Sequence, residues 1–303
     1  MSKPIIIDCD PGIDDALAIL LAISSDELDL KLITTCAGNQ TSEKITTNAL
    51  KLVSFVGEEI EVARGAIGPL LHELVLADVA HGESGFGGVE LGAPHYSVSS
   101  RTALEAMRDT ILQSSEKVTI VAIGPLTNVA LLIKSYPEVM ENIDQLSIMG
   151  GACDGGNRTP VAEFNIYVDP DAAKIVFDSG IPITMFGLDV TNKIPMYKED
   201  IDRIRFIGNK TGKAVASMLD FYFRDGRADA MHDPCAVANL IDPSLFTFIP
   251  CNVEIETKGE FTRGQTVVDK KERTGKPKNA NVAFDVDRER ILDLLYNAIE
   301  KLK

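Results

Sequence analysis

The chain has 303 residues with 45 acidic against 30 basic side chains, a formal net charge of −15 and a pI of about 4.7. Such a surface disfavours nucleic acid and anionic membranes, and it suits a phosphorylated ligand only where a metal or a local arginine offsets the field. Tryptophan is absent and aromatics make up 6%, which argues against a stacking platform for single strands, and no apolar run is long enough to span a bilayer.

The first predicted element is a buried parallel strand over Ile5 to Cys9. Pro11-Gly12 reads as a tight turn, and Asp14 to Ile23 as a helix with Leu17, Leu20 and Leu21 on its apolar face. Asp10 therefore leaves the carboxyl end of a strand, while Asp14 and Asp15 sit on the first turn of the next helix. Open α/β sheets bind their ligands in that crevice. Four carboxylates (Asp8, Asp10, Asp14, Asp15) crowd this stretch, and like charges so close repel unless a cation or shared protons neutralise them. Hard oxygen donors point to calcium or magnesium rather than zinc. The plainer alternative makes Asp14 and Asp15 helix-start acids complementing the dipole, with Asp8 satisfied by backbone donors.

Further strands are expected at Leu30 to Cys36, Ile60 to Ala63, Val118 to Ile123, Gln145 to Met149 and Ile183 to Phe186. Helices are expected at Ser42 to Val56, Arg101 to Ser114, Leu126 to Lys134, Pro170 to Ser179, Lys198 to Phe206 and Thr211 to Arg224. This alternation implies βαβ units. After about Asn239 the texture changes: Cys251 to Glu256 and Gln265 to Asp269 alternate as antiparallel strands, with Lys258-Gly259-Glu260 as a turn. Lys270 to Arg273 reads as a solvated hairpin tip, and Asp287 to Leu302 as a closing amphipathic helix. The expected fold is α/β, an open, mostly parallel sheet flanked by helices with a small antiparallel strand addition near the C-terminus. No linker composition interrupts 1–303, so one domain is expected. Five scattered cysteines (Cys9, Cys36, Cys153, Cys235, Cys251), odd in number and without metal-ligand spacing, together with the absence of a leader, read as reduced thiols of a cytoplasmic protein.

Two long stretches, Arg64 to Ser99 and Gly150 to Asp169, lack regular pattern, and such loops in a compact domain are usually functional. The first carries His72, His81 and His95 among glycines. The second carries Asn157, Glu163 and Asn165, whose donors and acceptors suit the hydroxyls of a sugar or polyol; a polar surface loop is the even alternative. Gly124-Pro125 turns a strand into a helix, and a carbonyl at such a turn can ligate a hard cation, although a plain turn explains it as well. His232-Asp233 stands at a loop-to-helix boundary. Asp233 there is either an N-cap or a metal carboxylate, with His232 as an acid or donor. Arg224, Arg227 and Met231 line a pocket or face solvent.

Together these motifs resemble the nucleoside hydrolase family, the inosine-uridine preferring hydrolases. The resemblance rests on Asp8-Cys9-Asp10-Pro11-Gly12-Ile13-Asp14-Asp15-Ala16, Ala37-Gly38-Asn39, His81-Gly82-Glu83-Ser84-Gly85, Ala122 to Asn128, Ile148-Met149-Gly150-Gly151, Ala162-Glu163-Phe164-Asn165 and Met231-His232-Asp233. Gly187 to Asn192 and the short segment before His232 look like the bacterial broad-specificity branch. The resemblance implies Ca²⁺ held by Asp10, Asp15, Asp233 and the Ile123 carbonyl, with Asp10 as general base. It implies Asp14 and Asn165 on the ribose 2′- and 3′-hydroxyls, and Asn157 and Glu163 on the 5′-hydroxyl. Asn39 supports the ribose and metal end, Phe164 joins the substrate wall, and His232 or His81 faces the base. It further implies hydrolysis of ribonucleosides to base and ribose with inversion, a broad purine and pyrimidine range, a role in salvage or catabolism, and a homo-oligomer, tetramer or dimer, with no nucleic-acid or membrane partner.

Two rivals stay open. A haloacid-dehalogenase-like phosphatase also places Asp-x-Asp after its first strand, but Gly12 stands where that family has Thr or Val, and Glu163-Phe164-Asn165 goes unexplained. A Ca²⁺-dependent nucleoside sensor that lost turnover is the non-enzymatic alternative.

Overall fold

In the computed structural model, which describes residues 2–224 and 230–302, every residue of β1 (Lys3–Cys9) after Lys3 is buried. The cause is its place in the sheet. β2 (Leu28–Thr35) pairs with it in parallel on one side and β4 (Val118–Ala122) on the other. Ile5 and Ile7 enter the core on one face and Ile6 enters the core on the opposite face, so an unbroken isoleucine run replaces alternation.

The chain runs from β1 through β2 to β3 (Glu61–Arg64) in one direction. It then returns to β4 on the far side of β1 and proceeds the other way through β5 (Ile143–Met149) and β6 (Ile183–Phe186). The complete order is β3-β2-β1-β4-β5-β6-β9-β7-β8, with β7 (Phe246–Ile255), β8 (Thr266–Asp269) and β9 (Ala280–Val286). The reversal between β1 and β4 opens a crevice at their carboxyl ends.

Helices cover both faces. α1 (Ile13–Ser24) is buried from Ile13 to Ala22, because its partners lie all round it: β2, α10 (Lys210–Tyr222), α11 (Pro234–Ile241) and α12 (Arg288–Lys301). The amphipathic α2 (Ser42–Val56) and α9 (Lys198–Phe206) have the predicted bounds. α4 (Ala103–Gln113), α5 (Thr127–Ser135) and α7 (Pro170–Phe177) fall within a residue or two of them. Among the described residues no helix is long and apolar enough to cross a membrane.

Sequence reading missed β9. It pairs in parallel with β6 and antiparallel with β7, so the antiparallel addition is joined to the parallel sheet by the last strand in the chain. Three short helices were also missed, α3 (Asp78–His81), α6 (Phe164–Val168) and α8 (Leu188–Thr191). Lys270 to Arg273 is exposed as expected, but it is not a hairpin tip. It leads from β8 toward β9, and β7 lies between those two strands in the sheet.

Candidate active site

A cavity of about 570 Å³ opens in the crevice. Its wall includes Asp14, Asn39, His81, Ile123, Asn157, Glu163, Phe164, Asn165, His232 and Asp233. These residues come from six separate stretches of chain. Asp10 and Asp15 are not in the wall, and Asn39 joins them to it. The Asn39 backbone N–H donates to Asp10 Oδ2 (2.7 Å), and Asn39 Nδ2 donates to Asp15 Oδ2 (3.0 Å) and the Asp10 carbonyl (3.1 Å).

Asp10 is fully buried, and its Oδ1 has no partner. Its carboxylate lies in a slot between two glycines. A methyl group at Gly124 would stand 2.7 Å from Oδ1, and one at Gly38 would stand 2.2 Å from Oδ2. Asp15 closes the turn, accepting from the backbone N–H groups of Asp10 (3.1 Å) and Gly12 (2.9 Å).

Carboxylate oxygens of Asp14, Asp15 and Asp233 lie within 4.8 Å of one another. Asp10 stands beside this trio rather than in it, and Asp14, expected on the ribose, is a member. Asp233 occupies the N-cap position of α11 but makes no capping bond there, which leaves its carboxylate for the cluster. Burial, reinforced by Asp15, pushes Asp10 well above the ordinary carboxylate range. Burial, reinforced by Asp14, does the same to Asp233 and lifts Asp15 to about 7. Asp14 is raised by burial and held back by His232. Buried carboxylates whose main charged neighbours are each other need protons or a cation. An all-oxygen donor set with one orphaned carboxylate oxygen fits a hard divalent cation.

The ribose-facing candidates carry structural bonds too. Glu163 caps α6: its Oε1 accepts from Asn165 N (2.9 Å), and its Oε2 from Gly151 N (2.9 Å) and Ile166 N (3.1 Å). Asn165 donates through Nδ2 to the carbonyls of Ile123 (2.9 Å) and Met149 (3.1 Å), so its Oδ1 is the group left to accept from a hydroxyl. The Asn157 side-chain oxygen accepts from Phe164 N (2.9 Å), so its amide N–H groups are what it can offer.

His81 and His232 share the cavity. His81 Nδ1 accepts from the Ile13 N–H (3.1 Å), which places the ring proton on Nε2. Burial lowers its pKa to about 4. The 4.0 Å approach of Nδ1 to Asp14 is therefore not an ion pair. His232 Nδ1 meets Thr191 Oγ1 at 2.8 Å, which turns Nε2 into its free position.

Sequence reading missed Tyr222, which stacks on His81 with centroids 5.3 Å apart and whose hydroxyl reaches Asp14 (3.4 Å). It ends an amphipathic helix 208 positions from Asp14, so no local signal marks it. Asp8 is held by side chains rather than by backbone donors, namely Thr34 Oγ1 (2.6 Å) and Asn128 Nδ2 (2.7 Å). Met231 neither lines the cavity nor faces solvent but is buried in the core. Arg224 does line the cavity, and Arg227 lies outside the described residues.

The sequence profile described as inosine-uridine preferring nucleoside hydrolase matches residues 5–293, and the chain belongs to that family. It is a ribonucleoside hydrolase, acting on N-glycosyl compounds, in a family whose members are metal-dependent. The pyrimidine-specific ribonucleoside hydrolase RihA of Escherichia coli O17:K52:H18 is 50% identical over 99% of both chains. RihA of Photobacterium profundum is 50% identical over 97% of this chain and 98% of its own. Among solved structures, a purine-preferring ribonucleoside hydrolase from Gardnerella vaginalis superposes with a TM-score of 0.92 at 34% identity, covering 99% of each chain.

Proposed function

We propose that this enzyme hydrolyses pyrimidine ribonucleosides, with Asp10 as general base and Ca²⁺ as its metal. The observation that carries the reaction is the buried, unpartnered oxygen of Asp10 beside the Asp14–Asp15–Asp233 trio, of which Asp14 and Asp233 line the cavity. The pyrimidine preference rests on the RihA relatives, each named pyrimidine-specific at about half identity, and it narrows the broad range expected from sequence.

Asp10, Asp15, Asp233 and the Ile123 carbonyl would hold the cation, with Asp14 close enough to share it. A hard divalent ion bound there makes water easier to deprotonate near neutral pH. Asp10 takes a proton from the attacking water. Asp14 and the Asn165 Oδ1 accept from ribose hydroxyls, and Asn157 and Glu163 hold the 5′ end. Carboxylates around the sugar favour the positive charge that develops as the glycosidic bond breaks. His232, with Nδ1 held by Thr191, presents Nε2–H to the departing base. Attack by water from the face opposite the base inverts C1′. The same reading carries a cytoplasmic homo-oligomer working in base salvage.

The test is release of free base and reducing sugar from uridine, cytidine, inosine and adenosine, with Ca²⁺ and with chelator. Chelator-sensitive release of uracil and cytosine ahead of the purines is the expected result. Asp10→Ala should abolish turnover of every base while the melting profile stays cooperative, and a near-normal rate would remove Asp10 as base.

A further inference from the structure

Thr191 is fully buried at the end of α8, and its hydroxyl meets His232 Nδ1 at 2.8 Å. A hydroxyl can give or take the proton in such a contact, and the direction decides what His232 can do at Nε2. The other threonine bonds of the fold show what is missing here. Thr46 and Thr47 of α2 donate to the carbonyls of Ser42 (2.6 Å) and Glu43 (2.8 Å), four residues back. Among the described residues Thr191 makes no such bond. The Gly187 carbonyl, four residues before it, receives the backbone N–H groups of Thr191 (3.1 Å) and Val190 (3.1 Å) instead. Away from solvent, a proton on Nδ1 would leave the Thr191 hydroxyl proton with no acceptor, which buried polar groups rarely tolerate. Thr191 therefore donates, Nδ1 accepts, and the single ring proton stands on Nε2. The imidazolium, with protons on both nitrogens, is disfavoured by the same bond.

Both partners are anchored from outside the pair. The Leu188 N–H donates to the Gly151 carbonyl (2.9 Å), and the Asp189 carboxylate accepts from the backbone N–H groups of Cys153 (2.6 Å) and Asp154 (3.2 Å). A methyl group at Gly187 would stand 2.8 Å from the Gly151 oxygen, so α8 starts flush against that loop. On the other side the Met231 N–H donates to the Ile194 carbonyl (3.2 Å), and Ala230 forms a bridge with Pro195. The imidazole is thus held between two fixed stretches while its ring lines the cavity.

We propose that Thr191 is a positioning residue that holds His232 with its one ring proton on Nε2, so that the ring polarises the departing pyrimidine through a hydrogen bond and keeps that proton. This inference rests on the reading that places the base at His232. As water bonds to C1′, its proton passes to Asp10, and the C1′–N bond breaks with its electron pair going to the pyrimidine. The ring carbonyls of the pyrimidine spread that charge, and a carbonyl oxygen accepts the bond from Nε2–H, which strengthens as the charge grows. Loss of the proton would leave an imidazolate, a far stronger base than the pyrimidine anion, so a neutral imidazole acts here as a donor and not as an acid. The released base takes a proton from solvent and Asp10 returns one, so that nucleoside and water become free base and ribose.

The test is ¹⁵N NMR of histidine-labelled, Ca²⁺-loaded enzyme near neutral pH, beside steady-state kinetics. The chain has four histidines, and the spectrum of His232→Gln identifies the signals of His232. The wild type should show Nε2 protonated and Nδ1 unprotonated. A proton on Nδ1, alone or together with one on Nε2, overturns the proposal without recourse to a Thr191 variant. Thr191→Val should give a mixture of tautomers, and Thr191→Ser the wild-type pattern. Kinetics compare uridine with 4-nitrophenyl β-D-ribofuranoside, whose leaving group is stable as an anion and needs no polarising. The ratio of kcat for uridine to kcat for the aryl riboside should fall at least about tenfold in Thr191→Val, because the donor is no longer aimed, and Thr191→Ser should restore it. Equal losses on the two substrates mean a merely structural role and overturn the proposal, as does a serine variant no better than the valine one. If no form of the enzyme releases uracil, the hydrolase reading fails by itself, and the nitrogen signals of the wild type and the valine variant still decide the Thr191 bond. The expected signals with an unchanged ratio overturn the polarising role of His232.

Discussion

Asp10 is aimed by what its neighbours lack. Gly38 and Gly124 stand against opposite oxygens of its carboxylate, closer than any Cβ can approach, and Asn39 fixes one oxygen from the backbone. The other oxygen is left without a partner in a buried place, an arrangement that costs free energy unless a ligand completes it. Gly124→Ala should therefore push the carboxylate out of its slot. A misplacement of about 1 Å can cost roughly a hundredfold in rate, so kcat should fall by about that factor while the cooperative thermal transition remains. Steady-state kinetics beside a thermal melt check it. A kcat within about twofold of wild type would show that the slot does not aim the proposed base. Asp10, Asp14 and Asp15 were legible because acids crowded into one βα turn are a local pattern, whereas Asp8 of the same stretch is held by Thr34 and Asn128 and Asp233 joins the trio from the start of α11. The glycine slot was not legible, because Gly38 and Gly124 meet Asp10 only through the sheet. Tyr222 was illegible for the same reason, its spacing being that of any helix that packs on a core.

At the scale of elements, legibility followed burial and length. The isoleucines of β1 announce a strand covered on both faces, and α2 ends where Gly57 adopts a left-handed φ of 80°, which glycine accepts without steric cost. β9 gave no such signal. Its inward Val282 and Ala283 are flanked by exposed Asn281 and Asp285, and it follows the Lys276-Pro277-Lys278-Asn279 stretch. α6 and α8 are too short for a helical period to show. The turn after β8 carries its own pH signature. Asp269 accepts from the backbone N–H of Thr274 (2.6 Å) and Arg273 (2.9 Å) and from the Thr274 hydroxyl (2.7 Å). These bonds, the Thr274 N–H first, lower its pKa to about 2. A depressed acid stabilises the folded turn above its unfolded pKa, and that contribution is lost as pH falls from about 4 toward 2. The protection factors of the Arg273 and Thr274 amides, with the intrinsic pH dependence of exchange divided out, should fall across that window, and Asp269→Asn should abolish that change. Wild-type protection factors that ignore acid would assign the turn to other bonds.

For the whole molecule, the site joins parts of the chain that nothing else local would bring together. Asp10, Asp14 and Asp15 come from the first βα connection and Asp233 from the start of α11, which packs on α1. Without a cation these carboxylates hold protons in the folded state, Asp15 up to about 7, whereas the unfolded chain releases them near 4. The folded state then binds more protons than the unfolded state between about pH 4 and pH 7, so the stability of the metal-free enzyme falls as pH rises through that window. A divalent cation displaces those protons and removes the repulsion, and it binds the native state alone, because only the fold assembles its ligands. The Tm of chelator-treated enzyme should accordingly drop from about pH 5 to about pH 8, while that of the Ca²⁺-loaded enzyme holds, and the gap should widen with pH. At a free ion concentration of about 100 times Kd the stabilisation is about 2.7 kcal/mol, which amounts to several degrees in a chain of this size. Asp233→Asn should shrink the gap by removing one proposed ligand and one titrating group together. A gap that is the same at both pH values would mean that the cation binds without displacing protons from this cluster, and the buried acids would then need another explanation for their coexistence.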